Sequence, residues 1–375
     1  MDFSLTDEQA MLADSIGRYI DDNYDFDARM KIVESDRDFS ADHWRAFAEM
    51  GWTALPFAEA DGGFDGGAIE TMLVMEAFGR GLVVEPYLAT VVLAGGVLKR
   101  APRGERRDEL LAGIIDGSTQ VALAFAEPQA RFDCLQVATT AERDGDDFLL
   151  NGRKNLVLNG GNADVLIVPA RSSGNPGDEN GITLFAVAAD SEGLDLRRYP
   201  TVDGHSGADV TLEDLRVSNA AIIGDLDAAG SLLAAAMDEA TLAACAEAMG
   251  ILQAMHEKTV EYTKQRVQFG VPIGSFQALQ HRMVDMLMHC EQTRSLLYWA
   301  VMLHADGDDA AERAISALKY QVGTAGRRVG EEAVQLHGGM GVTWELDIAH
   351  YFKRLVALQQ LFGNADFHLD RYAAA

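Results

Sequence analysis

Cysteines and long apolar runs are both scarce in this 375-residue chain. Cys134, Cys245 and Cys290 lie far apart in the sequence, so they provide neither a disulfide framework nor the spacing of a metal site. No apolar run approaches the ~18 residues that a membrane span needs. The opening segment MDFSLTDEQ lacks the basic start and the apolar core of a signal peptide. These features predict a protein of the reducing cytoplasm that binds no metal ion and does not span a membrane.

Basic residues are also in short supply. The chain has 31 Lys and Arg against 58 Asp and Glu, and its net charge is −27. This charge argues against a nucleic acid or an anionic membrane surface as a partner. Any anionic ligand must therefore be held by local cations and backbone dipoles. A hydrophobic content of 48% with 24% charged residues is typical of a soluble globular enzyme.

The periodicity of apolar residues divides the chain into three parts. Residues 1–118 have a helical pattern, which begins with Thr6 and Gln9 in the arrangement of a capping box. Residues 119–225 change to a period of two, which predicts a compact antiparallel β unit. Residues 226–375 return to the helical period, and their long apolar stripes predict a bundle of three long helices and a shorter one.

The β unit contains recognisable strands and turns. Strands are predicted at 121–126, 149–161, 164–170 and 182–188. Turns are predicted at the pairs Asp144-Gly145, Asn151-Gly152 and Asn159-Gly160. The polar stretch 172–181 is predicted to be a surface loop.

Most familiar catalytic motifs are absent or incomplete. The sequence has no HExxH, CxxC or P-loop, and GHSGA (204–208) has Ala208 where a nucleophile elbow has its last glycine. His281 and His289 lie in a core-like helical pattern without a third ligand, which favours structural histidines. The glycine loop at 54–67 follows no strand, so a dinucleotide-binding fingerprint is disfavoured there.

The segment QLHGGMG (335–341) ends a long amphipathic pattern and raises the question of a nucleotide site. A phosphate cradle needs glycines before a helix, whereas Gly338 and Gly339 follow one. Taken alone, they favour a helix C-cap in the left-handed conformation. Glycines also allow a flat or bulky ligand to approach the backbone closely, so a ligand-binding role stays open.

Several segments together resemble the acyl-CoA dehydrogenase family. The resemblance covers essentially the whole chain, and its two most specific segments are QRVQFGVPIGSFQALQ (265–280) and QLHGGMG. Looser matches are MDFSLTDEQ, ALPFAEADGGFDGG (54–67), AFAEPQARFD (124–133) and KNLVLNGGNAD (154–164). The resemblance implies an α+β fold with an N-terminal α-helical domain (1–118), a middle antiparallel β-barrel-like domain (119–225) and a C-terminal four-helix bundle (226–375).

The resemblance also implies FAD as cofactor and an acyl-CoA thioester as substrate. In the family, the two specific segments reach across a subunit interface to the FAD of a neighbouring chain. By this resemblance Arg266 would pair with the flavin's pyrophosphate region, a suitable role for a guanidinium group. Phe269 would pack on the cofactor and Gln277 would hydrogen-bond near it. The residues expected to line the adenine and diphosphate portion are Gln335, Gly338 and Gly339.

The β unit departs from the family at the positions that hold the flavin ring and its phosphate. The family uses a threonine, a serine, a tryptophan and a later threonine there. The matching residues in this chain are Ala126, Phe132, Leu156 and Leu158. None of these side chains can donate a hydrogen bond. The flavin half-site of the β unit is therefore expected to be eroded, and that of the bundle to be kept.

The catalytic base departs as well. The family's usual base is a glutamate just before a glycine near the C-terminus, and the matching residue here is Phe362 before Gly363. Some members carry the glutamate on the first bundle helix, where this chain has Ala240. An arginine that often follows that site and meets the CoA is replaced by Thr241. The nearby acids are Glu239, Asp238 and Asp366, each interpreted first as a solvated side chain. The catalytic residue is therefore unknown at this point.

This combination resembles the small subunit of two-component, pimeloyl-CoA-type acyl-CoA dehydrogenases. Such a subunit would work in a heterotetramer with a related, base-bearing subunit, and a homodimer or homotetramer stays open. The resemblance implies an electron-transfer flavoprotein as electron acceptor. Two other hypotheses remain: a non-catalytic subunit that completes a cofactor site, and a self-sufficient enzyme with a relocated acid. The sequence does not specify the acyl group.

Overall fold

A computed structural model describes residues 4–374, so the first three residues of MDFSLTDEQ lie outside the described part. The described chain divides into two compact units. The bundle unit contains the residues up to Lys31, Ala68–Val83 and the chain from Thr241 onward. The sheet unit contains Ile32–Gly67 and Val84–Ala240.

The N-terminal third is helical. Its α-helices are α1 (Asp7–Asn23), α2 (Phe26–Val33), α3 (Ala41–Glu49), α4 (Ala68–Gly81), α5 (Gly95–Arg100) and α6 (Glu105–Ile115), and a π-helical stretch (Leu88–Ala94) leads into α5. The predicted capping box at the start of α1 is confirmed. The backbone N–H of Gln9 donates to Thr6 Oγ1 at 3.2 Å, and the N–H of Thr6 donates to Gln9 Oε1 at 3.0 Å. Two of the otherwise unpaired backbone donors of α1 are thereby satisfied.

The sheet unit contains one sheet, formed in the described chain by eight strands. These are β1 (Val121–Leu123), β2 (Thr140–Asp144), β3 (Asp147–Leu158), β4 (Val165–Arg171), β5 (Ile182–Ala188), β6 (Leu194–Pro200), β7 (Ser206–Ser218) and β8 (Ile222–Ile223). The order is β6-β7-β3-β2-β4-β5-β8, and β1 pairs with β4. Most pairs are antiparallel, while β1 pairs with β4 in parallel and β2 meets β4 in parallel at Thr140 and Arg171.

The alternating pattern predicted the strands better than the turns. Each predicted strand is present, and the predicted turn at Asn159-Gly160 is confirmed by a left-handed Asn159 before a short 3₁₀ turn. The turn predicted at Asn151-Gly152 is wrong, because both residues lie inside β3 at an irregularity in its pairing with β7. Gly152 is needed there for space, since a Cβ atom would lie 2.7 Å from the Cβ of Thr139.

Long helices dominate the chain after the sheet. They are α7 (Gly230–Gln265), α8 (Gln277–Ala305), α9 (Ala311–His337), α10 (Asp347–Gln360) and α11 (Ala365–Ala374), and a small hairpin of β9 (Val267–Gln268) and β10 (Val271–Pro272) joins α7 to α8. The predicted α+β class, with N-terminal helices, a middle sheet and C-terminal helices, is confirmed. Among residues 4–374, no helix is both long and apolar enough to cross a bilayer.

Two reciprocal glycine contacts bring α4 and α7 close together in the bundle unit. A Cβ atom on Gly79 would collide with the carbonyl oxygen of Glu247, and one on Gly250 would collide with that of Glu76. Glycine is therefore required on both helices, because only its missing side chain allows the backbones this approach. On the next face of α7, Glu247 accepts from Arg354 of α10 at 2.6 and 2.8 Å, with both side chains about 5% exposed.

Candidate functional site

The segment that begins at Arg266 forms an exposed hairpin at one end of the bundle unit. The N–H of Arg266 still donates to Tyr262 O at 2.8 Å, and its carbonyl then accepts from Ile273 N at 2.8 Å, which closes the hairpin. Phe269 and Gly270 form its tip with φ angles of +54° and +80°. A phenylalanine in the left-handed region is unusual, and this one is 93% exposed. The fold thus holds an aromatic ring out in solvent beside a guanidinium group.

The glycine turn of QLHGGMG has the form that a close backbone approach requires. The helix α9 ends at His337, and Gly338 has φ +62° and ψ −141°. This is a helix end, as predicted, but the ψ angle differs from that of a left-handed cap and suits glycine alone. A Cβ atom on Gly338 or Gly339 would meet nothing within 4 Å. Open space, rather than a packed neighbour, therefore lies above both glycines.

An aromatic stack joins the hairpin to the glycine turn. The rings of Tyr262 and His337 lie 4.3 Å apart at 28°, and the Tyr262 hydroxyl donates to His337 O at 3.4 Å. His337 Nδ1 in turn donates to Ala333 O at 2.8 Å. Burial lowers the pKa of His337, against the opposing effects of Ala333 and Asp347, which favours a neutral ring.

The predicted binding residues of the bundle therefore lie on neighbouring elements. Gln277 is the exposed first residue of α8, and Gln335 is exposed in the last turn of α9. The ring of Phe276 contacts that of Phe269 edge-on, with a centroid distance of 6.2 Å. Arg282 of α8 forms an ion pair with Glu332 of α9 close to the same end. The predicted residues therefore offer one cation, one aromatic ring, two amides and an open backbone turn.

A buried ion pair holds the frame of the candidate half-site in the β unit. Lys154 Nζ donates to Glu127 Oε1 and to Pro169 O, both at 2.6 Å, and its side chain is fully buried. Burial would raise the pKa of Glu127, but Lys154 and nearby hydrogen bonds lower it overall. The ion pair ties the loop after β1 to β3, and Ala126 O accepts from Asn155 N at 3.0 Å.

The four non-donor side chains are placed on this frame. Leu156 lies at an irregularity in the pairing of β3 with β7, where it has φ +49° and is 39% exposed. Its N–H donates to Asp209 Oδ1 at 3.3 Å. Ala126, Phe132 and Leu158 are partly exposed. Backbone groups could still meet a ligand here, but none of these side chains supplies a hydrogen-bond donor.

The acids near the two candidate base positions differ in availability. Ala240 is fully buried in α7, and its neighbour Glu239 accepts from Lys99 Nζ at 2.6 Å and Arg100 at 2.5 Å. Burial would raise the pKa of Glu239, but the charges and hydrogen bonds of these two cations lower it. A carboxylate held in this way is a poor proton acceptor.

The C-terminal position is occupied by Phe362, in the turn between α10 and α11. The nearest sequence alternative, Asp366, is exposed and lines an open groove of about 550 Å³ together with Arg327 and Arg328. Asp238 is partly exposed beside Glu239. No group of His, Cys, Asp or Glu in the described chain has the arrangement of a metal site.

Some contacts that shape the site cannot be deduced from the sequence motifs alone. Tyr262, Lys154 and Glu127 act through contacts that are distant in sequence or buried. Lys319 is another such residue. The sequence indicates only that a charged residue lies between the core positions Leu318 and Val322.

Comparison with known proteins finds related domains along most of the chain. Three acyl-CoA dehydrogenase domain families match the chain: the N-terminal domain at residues 6–118, the middle domain at 122–219 and the C-terminal domain at 231–375. The chain belongs to the acyl-CoA dehydrogenase family. The predicted family is thus confirmed, and its members are oxidoreductases that use FAD.

Individual relatives cover almost the full length of this acyl-CoA dehydrogenase family member. The L-prolyl-[peptidyl-carrier protein] dehydrogenase of Serratia sp. is 29% identical, over 99% of this chain and 97% of the relative. The ChsE4-ChsE5 complex of Mycobacterium tuberculosis contains a chain that is 26% identical, with a TM-score of 0.90 and coverage of 100% and 98%. The FAD complex of PigA is 27% identical, with a TM-score of 0.92 and the same coverage.

The bundle residues fit the flavin cofactor of the family, whereas the β unit fits it only through its backbone. On the bundle, the open space above Gly338 and Gly339 and the exposed groups of Arg266 and Phe269 suit a dinucleotide with a pyrophosphate. On the β unit, Leu156 and Leu158 offer apolar surface only.

Proposed function

We propose that this chain is a subunit of an FAD-dependent acyl-CoA dehydrogenase, which desaturates an acyl-CoA thioester together with a related subunit that carries the catalytic base. One observation supports the proposal: the residues that the family resemblance assigns to flavin binding are exposed at one end of the bundle, while the positions that it assigns to the base carry Phe362 and Ala240. The chain would therefore contribute to a flavin site without supplying the proton acceptor.

The bundle residues would act on a cofactor held by the partner subunit. Arg266 would pair with the pyrophosphate, which matters in a chain of net charge −27 because most of its surface repels anions. Phe269 would pack on the cofactor and Gln277 would hydrogen-bond beside it. The adenine and diphosphate portion would lie along Gln335, Gly338 and Gly339, whose free space supports this placement.

The reaction needs two groups placed on either side of the substrate's α–β bond. FAD, when bound, supplies the acceptor for the hydride that leaves the β-carbon. The α-proton requires a base within hydrogen-bond reach, and neither a phenyl ring nor a methyl group can accept it. Glu239 is engaged by Lys99 and Arg100, which weakens the hypothesis of a relocated acid. We therefore assign the base to the partner, and an electron-transfer flavoprotein to the removal of electrons.

A second candidate function has its own support. The loss of all four polar side chains in the β unit favours a subunit that completes the partner's cofactor site and has no turnover of its own. The two proposals differ in whether the sites on this chain's own β unit hold FAD.

Purification of the complex from its native source tests both proposals. We expect a heteromer whose absorbance shows FAD, and an isolated chain with weak or partial occupancy. Arg266→Ala should weaken FAD binding to the complex by about 10- to 150-fold, the equivalent of 1.5–3 kcal/mol for a charge-assisted contact. Lys264→Ala is the matched control, because Lys264 is 66% exposed and only two residues away.

Two results would contradict the main proposal. The first is a homomer that binds stoichiometric FAD tightly and is unaffected by Arg266→Ala. The second is rapid turnover of acyl-CoA by the isolated chain. A heteromer whose flavin count equals the number of partner subunits, with no activity gained from this chain, would favour the cofactor-completing subunit.

A further inference from the structure

The turn after α10, which carries Phe362, has a backbone that few residues adopt. Phe362 has φ +58° and Gly363 has φ +113°. A Cβ atom on Gly363 would lie 2.5 Å from Phe367 Cδ1 and 2.6 Å from His368 Nε2. The turn is therefore restricted by both its torsion angles and its surroundings.

A buried lysine holds this turn from below. Lys319 of α9 is 1% exposed, and its ammonium donates to Gly363 O at 2.7 Å, Leu358 O at 2.9 Å and Gln359 O at 3.3 Å. An ammonium group has three donors, so each is used. Two of the acceptors are carbonyls in the last turn of α10, where a helix leaves its carbonyls without partners of its own and its dipole favours a positive charge.

A buried histidine holds the same turn from the side. His368 of α11 is fully buried, and its Nε2 lies 2.9 Å from Phe362 O. A carbonyl oxygen only accepts, so Nε2 carries the hydrogen in this contact. The successive carbonyls of Phe362 and Gly363 thus each have a buried donor from a different helix.

Such an arrangement exceeds what the end of a helix requires. A glycine cap or water normally satisfies the last carbonyls of a helix, and burial of an ammonium group is unfavourable. Burial lowers the pKa of Lys319 to about 8, opposed only by Cys245. A fixed backbone at this point is useful where the side chain at position 362 must be placed accurately, as a proton acceptor must be.

We propose that Lys319 and His368 are positioning residues, which fix the 361–363 turn in the geometry that a catalytic carboxylate needs, although this chain carries Phe362 there. This inference rests on the proposed function, which gives the turn its catalytic meaning. It implies that the backbone that would place a catalytic carboxylate at position 362 is present, and that only the carboxylate is missing.

Hydrogen exchange of the full-length chain tests the positioning role without any cofactor. The N–H of Leu361 donates to Ala357 O at 3.1 Å and reports on the end of α10. Lys319→Met should raise exchange at residues 361–364 by about 10-fold or more relative to the rest of α10. Arg354→Met is the control, since it also removes a buried cation, one that lies on α10 itself and pairs with Glu247 of α7, but leaves the turn's donors in place. Equal exchange at the turn in Lys319→Met and wild type, or a rise equal to that in Arg354→Met, would overturn the proposal.

A second experiment tests the catalytic meaning in the FAD-containing complex, with n-octanoyl-CoA as the probe under anaerobic conditions. Phe362→Glu should add flavin bleaching beyond that of the unmodified complex. Adding Lys319→Met should remove most of this gain, at least about 10-fold in rate, with the half-saturating probe concentration unchanged. A changed half-saturating concentration at an unchanged rate would overturn the positioning role. No added bleaching in Phe362→Glu, with the exchange result as expected, would overturn the catalytic meaning of the turn and favour the cofactor-completing subunit.

Discussion

The substitution Glu239→Gln separates a structural carboxylate from a relocated catalytic base. The Glu239 side chain is 7% exposed, and its partners Lys99 and Arg100 are 21% and 24% exposed. Removal of one member of a fully buried pair typically costs about 3–5 kcal/mol. Because both cations keep some contact with water and glutamine can still accept one hydrogen bond, we expect a loss of about 2–3 kcal/mol in the free energy of unfolding.

The pH dependence of this loss has a definite sign. The pKa of folded Glu239 is lowered, so the ionised carboxylate stabilises the folded state fully only above its unfolded pKa of about 4.3. That stability disappears as the pH falls through the lower folded pKa. The difference between wild type and Glu239→Gln should therefore be constant from about pH 6 to pH 8 and shrink below about pH 4.3.

Urea unfolding monitored by circular dichroism at several pH values measures this difference. Glu261→Gln serves as the control, since Glu261 lies on the same helix, is 59% exposed and approaches Lys264 only to 3.8 Å. The control should change stability by less than about 0.5 kcal/mol. Unchanged stability in Glu239→Gln, together with a loss of flavin bleaching by acyl-CoA, would refute the structural assignment and identify Glu239 as a base.

Three further predictions follow from other parts of the molecule. Gly250→Ala should destabilise the chain by about 1–3 kcal/mol because its methyl group would collide with the Glu76 carbonyl. The control, Gly17→Ala on α1, meets no atom within 4 Å and should be neutral or stabilising. Thermal melting of both variants measures the difference. Leu158→Thr should raise FAD occupancy of the isolated chain, measured by absorbance per protein, and an unchanged occupancy would show that the β-unit frame is not the limiting factor. Burial holds the pKa of folded Lys319 at about 8, below the ordinary lysine value of 10.5, so the unfolded state binds more protons between these pH values. The free energy of unfolding should therefore rise by up to about 3 kcal/mol from pH 8 to pH 10.5. Urea unfolding of Lys319→Met should lack this rise.

Local patterns predicted those features that depend on neighbouring residues. The capping box at Thr6 and the turn at Asn159 involve residues close in sequence, so their chemistry is readable directly. The turn predicted at Asn151-Gly152 failed because the glycine serves the close approach of Thr139 within a continuous strand. Sequence alone does not distinguish a glycine that forms a turn from one that leaves space for a neighbouring side chain.

The candidate site shows the same limit. The Arg266 hairpin and the Gly338 turn could be found from motifs, since their residues follow each other in the chain. Their connection through the Tyr262 and His337 rings could not, because these residues are 75 positions apart. The support beneath Phe362 was equally hidden, since Lys319 becomes a donor to the turn only after α9 and α10 have packed.

The exposed ring of Phe269 has a consequence for the life of the newly made chain. Until another surface covers the hairpin tip, the ring of Phe269 is exposed to water in the folded chain. The apolar side chains of Val267 and Phe276 are exposed near it. Chaperones and degradation systems recognise such surfaces on orphan subunits. Under the proposed function, production of this chain should therefore be balanced with that of its partner subunit, and an excess of it should be removed or aggregate first.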